Sequence, residues 1–184
     1  MNGWYDPYSN PRVNYGNSSF DTPNRLVAYA LYNLPGIGTG TALKYAVNDW
    51  SVDTSFQAQN GLPYSAGVSG SNSSSAIAAD WNGNGNVSFV PDLGHNNLFF
   101  PRDIVDDVRV EKGFAFTERY RLQIFLQAFN VANHQNVTTV NTPAYKLSGG
   151  VATYQANFGT VSKTNNSGFS YTPRQLELSA KFTF

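Results

Sequence analysis

The chain of 184 residues contains no cysteine, which excludes a disulfide framework and any thiolate metal site. It is poor in charge: Asp, Glu, Lys and Arg make up 13% of it, against roughly 25% in ordinary soluble domains. Acidic and basic residues cancel to a formal net charge of zero, so no electrostatic footprint points to nucleic acid. Long hydrophobic runs are missing too. No stretch approaches the ~18 apolar residues of a membrane helix, which excludes a helical membrane protein. The opening residues, Met1-Asn2-Gly3-Trp4-Tyr5-Asp6-Pro7, lack the basic and apolar regions of a secretory signal. The two histidines, His95 and His134, sit among amides with no recognisable nucleophile or orienting carboxylate. Catalysis needs that company, so no enzyme activity is expected.

What is present is aromatic and alternating. Aromatics reach 15%, with 11 Tyr and 13 Phe. Period-two patterns, the mark of a strand with unlike faces, recur along the chain. At the C-terminus Leu176, Leu178, Ala180, Phe182 and Phe184 oppose Gln175, Glu177, Ser179, Lys181 and Thr183. Over 50–59, Trp50, Val52, Thr54, Phe56 and Ala58 oppose Ser51, Asp53, Ser55, Gln57 and Gln59. Over 107–114, Val108, Val110, Lys112 and Phe114 oppose Asp107, Arg109, Glu111 and Gly113. Over 119–128, Tyr120, Leu122, Ile124, Leu126 and Ala128 oppose Arg119, Arg121, Gln123, Phe125 and Gln127. Residues 24–34 form a more apolar strand, and 62–69 a shorter sixth one that Pro63 weakens, since proline removes a ladder donor.

These segments predict an all-β fold, an antiparallel up-and-down meander of about six strands. Asn60-Gly61 reads as a two-residue hairpin turn and 115–118 as a second short link. Residues 70–101 and 131–173 are long loops, and 36–43 an intermediate one. Gly36-Ile37-Gly38-Thr39-Gly40 lacks the Gly-Lys-Ser/Thr of a phosphate loop and is expected to be a turn leading into a strand. Long and short links alternate, as in membrane barrels with long extracellular loops and short periplasmic turns. With Phe184 on the periplasmic side, all the long links fall outside. Phe114, Tyr120, Phe182 and Phe184 then mark the inner interface, and Tyr32 and Trp50 the outer one.

Two architectures share this pattern. In a secreted β-sandwich, a glycan-binding module for instance, the apolar faces are buried between sheets and the polar faces are wet. In a transmembrane barrel the apolar faces meet lipid: Trp50, Val52, Phe56, Leu122, Ile124, Leu126, Leu176, Leu178, Phe182 and Phe184. The polar faces then line the lumen: Asp53, Asp107, Arg109, Glu111, Arg119, Arg121, Glu177 and Lys181. Lys112 on the apolar face is expected to snorkel its amine to the headgroups.

One stretch has the front half of a calcium loop. Asp80, Asn82 and Asn84 offer side-chain oxygens, Gly85 the turn and Asn86 its carbonyl. Pro91 stands where the closing Glu belongs, and Asp92 comes one residue late. The same residues suit a plain Asn/Gly loop held by side-chain-to-backbone turns. Calcium is the one cofactor the sequence suggests.

Several segments resemble the C-terminal barrel of TonB-dependent receptors, in particular the Oar-like, carboxypeptidase-regulatory-domain-containing group. They are Phe20-Asp21-Thr22-Pro23-Asn24-Arg25-Leu26-Val27, Leu34-Pro35, Gln59-Asn60-Gly61-Leu62-Pro63-Tyr64-Ser65 and Val108-Arg109-Val110-Glu111-Lys112-Gly113-Phe114. The strongest runs from Glu118-Arg119-Tyr120-Arg121-Leu122-Gln123 to Gln127-Ala128-Phe129-Asn130-Val131-Ala132-Asn133-His134. The closing Arg174-Gln175-Leu176 through Phe182-Thr183-Phe184 completes the set. The resemblance implies an outer-membrane barrel of about 22 strands around a plug, importing large or scarce substrates with energy from a TonB complex. About six strands fall short of the ~8 that close the smallest barrel, so the chain is expected to be a fragment. Its partners would be outer-membrane lipid, the remaining strands and plug, and TonB through N-terminal parts. The last strand, ending in Phe184, looks like the signal read by the barrel-assembly machinery.

Overall fold

The computed structural model describes residues 11–36, 40–70, 89–164 and 172–184. The strands are β1 (Arg25–Asn33), β2 (Trp50–Gln59), β3 (Pro63–Tyr64), β4 (Gly67–Gly70), β5 (Leu98–Phe99) and β6 (Asp103–Ala115). They continue with β7 (Arg121–Phe129), β8 (Val137–Val140), β9 (Pro143–Ser148), β10 (Val151–Tyr154), β11 (Val161–Thr164) and β12 (Gln175–Thr183). One short helix, α1 (Thr41–Val47), lies between β1 and β2. The chain divides into two compact units, and it passes between them several times.

The first unit, called the wall here, comprises 25–59, 103–136 and 165–184. Its sheet is antiparallel throughout, in the order β1-β2-β6-β7-β12. The strands are nine to thirteen residues long, the span of a transmembrane β-strand of ~9–11 residues. Register decides the faces. Tyr32 pairs with Val52, Val52 with Val110, Val110 with Leu126 and Leu126 with Leu178. An apolar row thus runs unbroken across all five strands. One residue along, Leu31, Asp53, Arg109, Gln127 and Glu177 form the matching row on the other face. Because side chains alternate, this register places the apolar sets of the five wall strands on one common face.

The second unit comprises 1–24, 60–102 and 137–164. Its strands are short: β3 pairs with β5, β8 with β11, and β9 lies between β10 and a parallel β4. A small core of Ala66, Val68, Val90, Ala144 and Leu147 holds the β4–β9 region, with Leu98, Tyr145 and Phe158 packed against it.

Five expectations are corrected. The wall has five strands, because 62–69 is not one of them: β2 pairs directly with β6 along its whole length. Asn60-Gly61 makes no hairpin there. Gly61 instead runs so close to the backbone of Phe100 and Pro101 that a Cβ has no room, and Pro63 pairs with Phe99. The segment after Gly40 is helical, a run of seven residues too short to show a period. The long stretches 70–101 and 131–173 are not plain loops, since they carry β5 and β8 to β11. Finally, losing one wall strand inverts the parity of the first link. The β1–β2 connection leaves the sheet at the same end as the β6–β7 turn and Phe184, while 60–102 and 130–174 leave at the opposite end.

Candidate functional site

The apolar face of the wall is bare. Leu176 is 70% and Leu178 74% exposed, and Leu26, Tyr32, Leu126 and Phe182 each keep half or more of their surface open. Phe56 and Ile124 are exposed as well. Strands of nine residues or more with a contiguous apolar face and, among the described residues, no covering layer do not suit water, where patches beyond a few hundred Å² mark interaction surfaces. The sandwich alternative required these side chains to be packed inside, and they are not.

Aromatic residues gather at one end of this face. Trp50 pairs with Lys112, Phe114 with Leu122 and Leu122 with Phe182, and Tyr32 lies on the neighbouring row. Tyr32 and Trp50 therefore belong with Phe114, Tyr120, Phe182 and Phe184, and not to the far end as expected. Tyr120 and Phe182 stack at 6.2 Å, as do Phe182 and Phe184. Lys112 does not snorkel away. It is only 6% exposed, its amine donates to the Asn48 carbonyl and it lies 5.6 Å from the Trp50 ring centroid and 4.9 Å from that of Phe114. A cation wrapped by two ring faces and a carbonyl is tolerable on an apolar surface.

The opposite face is polar. Asp53, Asp107, Arg109, Glu111, Arg121, Glu177 and Lys181 share it by register. Arg119 does not join them, since it lies in the turn before β7. Asp53 stands directly across from Arg109, yet Asp53 Oδ1 and Arg109 Nε are buried with no hydrogen-bond partner. The Arg109 guanidinium instead lies 4.3 Å over the Phe125 ring. Gln123 Nε2 donates to Glu111 Oε1 at 2.6 Å, and Arg25 donates to Gln57 Oε1 at 3.1 Å. An open groove of about 340 Å³ runs over Tyr29, Asp53, Asp107, Arg109 and Gln127.

Sequence reasoning missed the amides that shape the exit of β7. Asn130, at φ 49°, donates from its side chain to the carbonyls of His134 and Thr172 and accepts from the His134 amide. Its own amide donates to Asp107 Oδ1 at 2.9 Å. Asp107 is thus a turn cap as well as a member of the polar face. Asp106 accepts from the Ala132 amide. Asn136, fully buried, accepts from the Ile104 amide at 2.7 Å and donates to the Ile104 carbonyl at 2.8 Å, so its side chain replaces a missing strand partner. The one signal in the sequence was position: Asn130, Asn133 and His134 close the segment that carries the strongest resemblance, but nothing there names their partners.

Of the calcium candidates, Asp80, Asn82, Asn84 and Asn86 lie outside the described residues. Asp92 sits exposed in a 3-10 turn, Pro91–Leu93. Among the described residues no group of three His, Cys, Asp or Glu side chains is placed to hold a metal. In the second unit the polar order centres on Asn96, which is 3% exposed. Its side chain donates to the Asn17 carbonyl and to Ser19 Oγ, and accepts from Ser65 Oγ. Its amide donates to Ser65 Oγ, and its carbonyl accepts from the Asn17 side chain.

A long antiparallel sheet, greasy and bare on one side and polar on the other, with rings banked at one end, defines the wall of an outer-membrane β-barrel. The comparison with protein families agrees: the model of the outer membrane beta barrel domain matches residues 1–177. The chain belongs to that family, and its place is the bacterial outer membrane. No curated protein and no solved structure matches the chain.

Proposed function

We propose that the chain forms the C-terminal part of a TonB-dependent receptor barrel, taking up a large or scarce substrate, and that it is not an enzyme. The observation that carries this reading is the wall sheet itself. Among the described residues its outer strands, β1 and β12, each end the sheet with an unpaired edge. In hydrocarbon every backbone donor and acceptor needs a partner, so only a closed barrel is viable. Five strands are fewer than the ~8 of the smallest barrels. Further strands of a parent barrel therefore pair with these edges. The order of the quoted segments, from Phe20 to Phe184, favours the TonB-dependent group.

In this reading Trp50, Val52, Phe56, Leu122, Ile124, Leu126, Leu176, Leu178, Phe182 and Phe184 meet lipid. Asp53, Asp107, Arg109, Glu111, Arg121, Glu177 and Lys181 face the lumen, where they meet water or a plug. The aromatic end is periplasmic, and 60–102 and 130–174 are extracellular. β12 is the strand presented to the barrel-assembly machinery.

In-cell cross-linking tests the reading. A tag on the chromosomal gene is expected to reveal a heat-modifiable outer-membrane band far larger than the 20.2 kDa of this chain, with a TonB adduct. A heat-modifiable species of this chain's own mass, without an adduct, would refute it.

A further inference from the structure

We infer that the groove between residues 15–21 and 94–97 binds a neutral oligosaccharide. It measures about 530 Å³ and is lined by Tyr15, Asn17, Ser18, Asp21, His95 and Asn97, with two glycines. The walls are set before any ligand arrives. Asn96 staples the two segments through its bonds to Asn17 and Ser19. Gly16 bridges to His95 so closely that a Cβ at this position would strike the His95 carbonyl. Gly94 adopts φ 75°, a conformation that side chains resist.

His95 is oriented as well. Its ring stacks on Phe89 at 5.1 Å, and Nδ1 lies 3.0 Å from the Asn14 carbonyl. A carbonyl only accepts, so Nδ1 carries the proton, and in the neutral ring Nε2 is the acceptor. The groove then offers acceptors from His95 and Asp21, and groups that both donate and accept from Asn97, Ser18 and Tyr15. Two rings stand in the same short segment with little cover: Tyr15 is 90% and Phe20 85% exposed.

A sugar ring fits this combination. Its C–H face stacks on an exposed aromatic ring, and its hydroxyls donate and accept at once. Other ligands fit less well. No Lys or Arg lines the groove, so an anion lacks its counter-charge. Asp21 is the one carboxylate there, whereas a divalent cation takes several oxygen ligands. The groove gives the proposed receptor a ligand class, and it rests on that reading only for its biological use.

The test is a titration of the full-length protein in an amine-oxide detergent, whose headgroup carries no sugar to compete. The probes are cellohexaose, maltohexaose and hexa-N-acetylchitohexaose, with an oligogalacturonate as the charged control. Calorimetry and saturation-transfer NMR are expected to show saturable binding of at least one neutral hexasaccharide and none of the charged one. Tyr15→Ala is expected to weaken binding by about 2- to 10-fold, the value of one aromatic contact. Asp21→Ala is expected to weaken it by roughly tenfold or more, the value of a charged hydrogen bond. Unchanged heat-modifiable mobility shows that both variants fold. The proposal is overturned by no saturable binding in the millimolar range, by binding that both variants leave intact, or by preference for the charged probe. TonB takes no part in this measurement, so its failure leaves the TonB adduct standing, and a missing adduct leaves the binding result standing.

Discussion

The wall and the inserted unit are made from one chain and solve opposite problems. In the wall, large apolar side chains point away from the protein: Leu176, Leu178 and Leu126 are exposed, and order comes from long, fully registered ladders. In the inserted unit the residues of the core are small and hidden, as Ala66, Val68 and Ala144 are. Order there comes from amide side chains, with Asn96 bonded to Asn17 and Ser19 in one segment and to Ser65 in another. The difference teaches that composition alone does not mark a core. Leu in the wall and Val in the insert are both apolar, but their partners differ, hydrocarbon for one and protein for the other.

The sharpest way to break the comparison is to put charge on the bare face. Leu178 lies mid-strand in β12, so Leu178→Arg is expected to cost about 2–4 kcal/mol of folding stability in bilayers, the midplane value for a barrel. Ser179→Arg, one residue away on the polar face, is expected to change it by less than about 1 kcal/mol, because lumen positions tolerate charge. Urea titration of the protein in phospholipid vesicles compares them. Equal effects would erase the distinction between the faces.

Smaller effects sharpen it. Asn96→Ala removes a buried side chain with three partners and is expected to cost the inserted unit about 1–3 kcal/mol. Limited proteolysis of whole cells is the check: cleavage within 60–102 rises while heat-modifiable mobility of the wall stays normal. Asn130→Ala is expected to cost a similar ~1–3 kcal/mol, but in the wall, where its carboxamide holds the β7 exit. It lowers the urea midpoint without opening 60–102. Lys112→Met is expected to have the smallest effect, a loss of ~0.5–2 kcal/mol from the two ring contacts, read by the same urea titration. A gain in stability would show that the buried amine burdens the face.

The faces of the wall were legible in the sequence because alternation follows from covalent geometry. Once Leu176, Leu178, Ala180 and Phe182 repeat every second residue, the strand has no other way to sort them. The strand 62–69 misled because its alternation of Leu62, Tyr64, Ala66 and Val68 is genuine. Its partners are elsewhere: Ala66 and Val68 line a protein core, and a two-fold period does not say which sheet a strand joins. Parity failed with it, since a single miscounted strand moves each earlier link to the other end. The amide turns at Asn96, Asn130 and Asn136 were not legible, because any Asn in a loop reads alike until its partners, up to 79 residues away, are known. His95 was read as a loop residue, and only the fold brings it against Asn14 and Gly16.

The central claim is that hydrocarbon covers the apolar face, and nitroxide scanning of β12 reads it directly. Single labels at positions 176 to 182, placed in the full-length protein in vesicles, are tested against oxygen, which collects in hydrocarbon, and a nickel chelate, which stays in water. The expected result is a two-residue alternation, with 176, 178, 180 and 182 open to oxygen and 177, 179 and 181 open to nickel. Equal accessibility at neighbouring positions, or labels at 176 and 178 that neither reagent reaches, would contradict it.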